Sequence, residues 1–148
     1  MSDIDDIYTN IIMEHSMNSQ NRHLLPAETC SVHGHNPNCG DDIVLHILFD
    51  GDKIKDLSFT GSGCAISQSS TSVMADVLRG KTMAQANQII DAFVNMIDRK
   101  PLSSAQQKML GEALAFKNIA NMPARVKCAL LSWKTLQNKL AEQSTTKW

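Results

Sequence analysis

Three cysteines and an aspartate constrain this chain more than any other feature. They lie in Cys39-Gly40-Asp41, Gly61-Ser62-Gly63-Cys64 and Arg125-Val126-Lys127-Cys128. Thiolate sulfur suits zinc or iron, and a carboxylate oxygen can fill the fourth tetrahedral position, so Cys39, Asp41, Cys64 and Cys128 read together as one metal site. Any fold for this chain has to bring those segments to a common point.

At 148 residues, the chain is long enough to bury a core without disulfide staples, and one domain spanning residues 1–148 is expected. Metal then serves chemistry more than folding. Lys and Arg number 14 against 15 Asp and Glu, a net charge of -1, so charge makes no broad case for nucleic acid or for an anionic membrane surface. The start, Met1-Ser2-Asp3-Ile4-Asp5-Asp6, is acidic where a targeting peptide is basic, and no apolar run approaches the roughly 20 residues of a membrane span. The reading is a cytoplasmic protein, in which four cysteines serve as ligands or reactive thiols rather than as two disulfides.

Periodicity supplies the elements. Ile4, Ile7, Tyr8, Ile11 and Ile12 mark an amphipathic helix from about Ile4 to Met17. Ile43, Leu45, Ile47 and Phe49 alternate with Val44, His46, Leu48 and Asp50 as a strand, and Asp50-Gly51 turns into a second strand through Leu57 and Phe59. Ile54 is out of phase with Leu57 and Phe59, which places a bulge in that strand. An earlier strand around Glu28 to His33 completes a small antiparallel sheet. Helices follow: one with Ile66, Ser70, Val73, Met74, Val77 and Leu78 on a face and Gly80 as its stop; one opened by a Thr82/Gln85 capping box; one opened by Ser103/Gln106 and running through Met109, Leu110, Ala113 and Leu114; and one begun by Pro123 and anchored by Trp133. A polar tail begins at about Glu142. The fold class is therefore α+β, a three-stranded antiparallel sheet packed against several helices.

All three cysteine motifs fall at element ends. Cys39 and Asp41 lie in the turn entering the first hairpin strand, two residues apart, so extended backbone directs both side chains to one side. Cys64 immediately precedes a helix, where free amides and the positive end of the dipole favour a thiolate. Cys128 lies in the first turns of the last helix, with Arg125 three residues earlier on nearly the same face.

These segments, Asn36-Pro37-Asn38-Cys39-Gly40-Asp41, Gly61-Ser62-Gly63-Cys64-Ala65-Ile66-Ser67 and Pro123-Ala124-Arg125-Val126-Lys127-Cys128-Ala129-Leu130-Leu131-Ser132-Trp133, resemble the three signature segments of the SufU/IscU/NifU-N proteins of iron–sulfur cluster assembly, over about Ile4 to Leu140. The resemblance is closer to the SufU branch, because the interval from Cys64 to Cys128 is longer than in IscU and an arginine motif replaces the histidine-cysteine pair. The Leu-Pro-Pro-Val-Lys motif is missing, so no dedicated Hsp70 chaperone is expected. The resemblance implies a SufE/IscU-like fold and a zinc-bound, sulfurtransferase-like sulfur carrier that takes sulfur from a PLP-dependent cysteine desulfurase of SufS type and passes it to downstream assembly proteins. It implies that Cys39, Asp41, Cys64 and Cys128 hold the zinc, that Cys39 accepts the sulfur, and that Arg125 stands just outside the ligands. It further implies that a histidine of the desulfurase releases Cys39 for attack.

Two other readings stand beside this one. Three thiolates and one carboxylate can hold a labile iron–sulfur cluster, which makes the chain a scaffold, and a zinc domain serving only as a binding module is the third. Cys30, His33 and His35 form a further Cys-Ser-Val-His-Gly-His run; they stand outside the family pattern and read as exposed strand residues. His15 and His46 read as surface or core residues.

Overall fold

The computed structural model describes residues 3–17, 19–37 and 40–146, with side chains described at 6–17, 19–37 and 40–142. Period-two alternation drives the sheet, in which β1 (Cys30–Asn36), β2 (Asp41–Asp50) and β3 (Lys53–Ser62) pair antiparallel in the order β1-β2-β3. Asp41, Ile43, Leu45 and Ile47 of β2 and Leu57 and Phe59 of β3 are buried on one face. The pairing jumps from Leu48↔Asp56 to Phe49↔Ile54. Lys55 is thus the extra residue of a bulge, and the bulge turns Ile54 inward to 0% exposure, as its phase predicts. β1 begins two residues later than the sequence suggests and extends to Asn36. Glu28 is drawn into a turn by its N–H bond to Leu25 O, while the polar run from His33 to Asn36 pairs with Val44 to Asp41. That run has no apolar alternation, so cross-strand hydrogen bonding alone makes it a strand.

Among the described residues five α-helices and a 3-10 helix accompany the sheet, α1 (Asp3–Met17), α2 (Ala65–Leu78), α3 (Met83–Ile97), α4 (Ser104–Leu110), the 3-10 helix Gly111–Asn121, and α5 (Pro123–Thr146), and of these α2 and α5 pack most closely on its strands. Both capping boxes form, Thr82 with Gln85 and Ser103 with Gln106. The run expected through Leu114 is broken, because Gly111 adopts φ 51, ψ -123, a conformation outside the helical region that glycine enters at little cost. The polar tail expected from Glu142 continues α5 to Thr146. Tyr8, Ile11 and Ile12 of α1 pack on the core and Ile7 is exposed; the side chain of Ile4 lies outside the described residues.

Helix α2 is central and is buried at Ser67, from Ser69 to Ala75 and at Leu78. Its hydroxyls are satisfied: Ser69 Oγ donates to Ala65 O and Thr71 Oγ1 to Ser67 O, each at 2.7 Å. Ser70 Oγ donates to Ala129 O at 2.7 Å and accepts from Trp133 Nε1 at 2.9 Å, which ties α2 to α5. Trp133 stacks on Phe93 at 3.9 Å. This junction fixes α5 along α2, and with it the residue preceding Ala129, which is Cys128.

Candidate metal centre

Asp41 opens β2, Cys64 stands at the start of α2, and Cys128 lies in the second turn of α5. One ligand atom from each falls within 4.8 Å of the other two. Asp41 and Cys128 are both 0% exposed, and Cys64 is half-buried. Cys64 is the N-cap of α2: its backbone is extended, φ -72, ψ 168, and its Sγ accepts the Ser67 N–H at 3.4 Å, the place that serine or aspartate takes in most helices. Asp41 Oδ1 accepts two hydrogen bonds, from Cys64 N–H and from Ser67 Oγ, each at 3.0 Å. The carboxylate is thereby held at the mouth of α2, facing the two sulfurs. Gln68 Nε2 donates to Gly63 O at 2.8 Å and secures the loop from behind.

Gly63 is required by space. A Cβ there would lie 2.4 Å from Ser67 Oγ and 2.7 Å from Asp41 Oδ1, so any side chain would displace the groups that position the carboxylate. Gly63 and Ser67 both fall within the second signature segment, and their part in holding Asp41 is visible only in three dimensions.

Cys39 lies outside the described residues. Arg125 is exposed at the start of α5. The Cys30 run divides across β1. Cys30 shares the parity of the buried Gly34 and Asn36, whereas His33 and His35 are exposed on the other side, their rings stacked at 6.1 Å and His33 in contact with Asp42. Burial pushes the Cys30 thiol up, with Glu28 and Glu142 adding to the rise and Lys139 opposing it. Cys30 is thus the wrong side of β1 for a shared ion with the histidines, and its thiol is disfavoured as a thiolate.

The chain is similar to known proteins along most of its length. The model of the NifU-like N-terminal domain matches residues 7–129. The chain is 35% identical over 142 residues to the zinc-dependent sulfurtransferase SufU of Bacillus subtilis, covering 96% of this chain and 95% of the relative. It is 35% identical over 140 residues to the iron–sulfur cluster assembly scaffold protein IscU of Streptococcus pyogenes, covering 95% and 86%. The crystal structure of the SUF-system protein SufU from Fervidobacterium islandicum superposes with a TM-score of 0.84 at 40% identity, over 91% of this chain and 97% of that one. On these matches, which run along nearly its whole length, the chain belongs to the NifU-like N-terminal domain family, the SufU and scaffold proteins of iron–sulfur cluster assembly.

Proposed function

We propose that the chain is a zinc-bound sulfur acceptor in cytoplasmic iron–sulfur cluster assembly, taking persulfide sulfur from a PLP-dependent cysteine desulfurase on Cys39 and passing it to downstream assembly proteins. The observation that carries this reading is the convergence of a fully buried carboxylate, Asp41, with Cys64 and Cys128, Cys39 being two residues from Asp41. Two sulfurs, one oxygen and a third cysteine nearby fit a tetrahedral zinc site held by Cys39, Asp41, Cys64 and Cys128. When bound, the ion supplies the positive charge that keeps its sulfur ligands deprotonated.

The protein's own groups then divide the work. The Cys39 thiolate attacks the terminal sulfur of the desulfurase persulfide; a bond forms between Cys39 Sγ and that sulfur, the sulfur–sulfur bond in the desulfurase breaks, and the desulfurase cysteine leaves as thiolate. Cys64 N–H and Ser67 Oγ hold Asp41 in place while Cys39 reacts. Arg125, three residues before Cys128 on α5 and exposed, offsets negative charge as the persulfide arrives. No described helix is long and apolar enough to cross a membrane.

Metal analysis of protein purified without added iron tests the reading, with about one zinc per chain expected. The scaffold reading is favoured by one feature, the oxygen ligand that would let a cluster leave, and it predicts iron and sulfide in place of zinc. Asp41→Ala separates the two. A sulfur acceptor keeps zinc more weakly and transfers less sulfur, whereas a scaffold holds its cluster longer and purifies brown.

A further inference from the structure

A second set of ligand-bearing side chains meets near the C-terminal end of α2, whose N-terminus is capped by Cys64. His15 comes from the last turn of α1, Asp76 from α2 and Glu112 from the start of the 3-10 helix, and one ligand atom of each lies within 4.8 Å of the others. His15 Nε2 is 3.8 Å from Asp76 Oδ2 and 3.5 Å from Glu112 Oε2. These separations exceed the roughly 2.7–3.2 Å of a hydrogen bond. They are close to the spacing of about 3.0–3.6 Å between ligands that each bond an ion at about 2.1 Å.

The surroundings orient the three groups. His15 Nδ1 is hydrogen-bonded to Ser72 Oγ at 2.7 Å, and Ser72 Oγ is in turn bonded to Ser19 Oγ and to Asn21 Nδ2. Asp76 Oδ1 accepts from Asn21 Nδ2 at 3.0 Å and from Arg79 Nη1 at 3.2 Å, which leaves Oδ2 directed at His15. Outer hydrogen bonds of this kind fix the ring and carboxylate of a metal-binding histidine and aspartate. Arg79 is shared with Asp56, so it offsets only part of the negative charge. The groups open into a cavity of about 290 Å³ whose described lining residues, Glu14, His15, Ser19, Gln20, Asn21, Asp76 and Glu112, include no lysine or arginine. A third carboxylate and room for water ligands are therefore present.

We propose that His15, Asp76 and Glu112 form a second cation site, separate from Asp41, Cys64 and Cys128, that takes a divalent first-row ion suited to one nitrogen and two oxygens, Mn²⁺ or Fe²⁺, with water completing its shell. Because its ligands come from three elements, the ion pins α1 to α2 and to the 3-10 helix. The test uses full-length, zinc-loaded protein titrated with Mn²⁺ and followed by the loss of the free-ion EPR signal. About one Mn²⁺ per chain is expected to bind without displacing zinc, and His15→Gln and Glu112→Gln are each expected to weaken it at least about tenfold. Slower hydrogen exchange in α1 on adding Mn²⁺ is the matching structural readout. Glu112 is half-exposed at 49%, so Glu112→Gln carries the test if His15→Gln does not fold. Absence of binding up to about 1 mM, or binding that survives both substitutions, overturns the proposal and leaves the cluster as an ion-pair network. Neither result bears on the sulfur-transfer reading, because zinc content is measured in the same samples.

Discussion

Gly63→Ala probes how the loop before α2 positions Asp41. The added methyl would lie 2.4 Å from Ser67 Oγ and 2.7 Å from Asp41 Oδ1, whereas ordinary contact begins at 3.4 Å, so the two oxygens must retreat by about 1.0 and 0.7 Å. Gly63 is not among the positive-φ glycines, so the perturbation is steric and leaves the backbone unstrained. Retreat of Ser67 breaks its bond to Asp41, a hydrogen bond to a charged acceptor contributing about 1.5–3 kcal/mol. Loss of such an orienting partner typically lowers metal affinity about 10–100-fold, equivalent to about 1.4–2.8 kcal/mol. The two estimates agree. Zinc affinity is read by competition with a chromophoric chelator, and helical content is followed in parallel. Gly51→Ala is the control: Gly51 has φ +64 with nothing within 4 Å of an added Cβ, so it loses about 1–2 kcal/mol of stability without affecting zinc. The reasoning is refuted if Gly63→Ala binds zinc within about threefold of the parent, or if Gly51→Ala loses as much affinity.

Other outcomes follow from the same geometry. Cys39→Ser is expected to abolish sulfur acceptance from the desulfurase and Cys30→Ser to leave it nearly unchanged, measured by alkylating the persulfide and locating it by mass spectrometry; equal losses would place Cys30 in the site. Ser70→Ala removes the hydroxyl that joins Trp133 Nε1 to Ala129 O and leaves a buried donor unpaired, costing about 1–3 kcal/mol in chemical denaturation; a loss under about 0.5 kcal/mol would show that α2 and α5 are held by apolar packing alone. The raised Cys30 thiol makes the unfolded chain lose its proton first, so folded stability declines as pH rises through the unfolded thiol's range toward the folded value. Cys30→Ala is expected to flatten that alkaline decline, and an unchanged pH profile would exclude Cys30 as its source.

Much of the local structure was legible because its causes lie within a few residues of one another. The two capping boxes, Pro123 at the start of α5 and the turn after Asp50 are such cases, as is the phase error of Ile54 that becomes a bulge at Lys55. Cys64 at the mouth of α2 belongs with them, since the glycines before it and the apolar period after it mark the boundary. Where local signals were weak, neighbours decided the outcome. The polar residues from His33 to Asn36 became a strand by pairing with β2, and the helical pattern across Gly111 broke into a 3-10 segment.

The sequence by itself determined which candidate donors the chain carries, sulfur from cysteines and oxygen from Asp41, and the element ends on which Asp41, Cys64 and Cys128 lie, because donor chemistry and capping are properties of short segments. Only the tertiary structure decided that Cys128 meets Asp41 and Cys64. That meeting depends on α5 being fixed along α2 through Ser70, Ala129 and Trp133, contacts about 60 residues apart in the chain. The His15, Asp76 and Glu112 cluster was equally invisible, since no spacing rule relates residues on three separate helices until packing brings their side chains together.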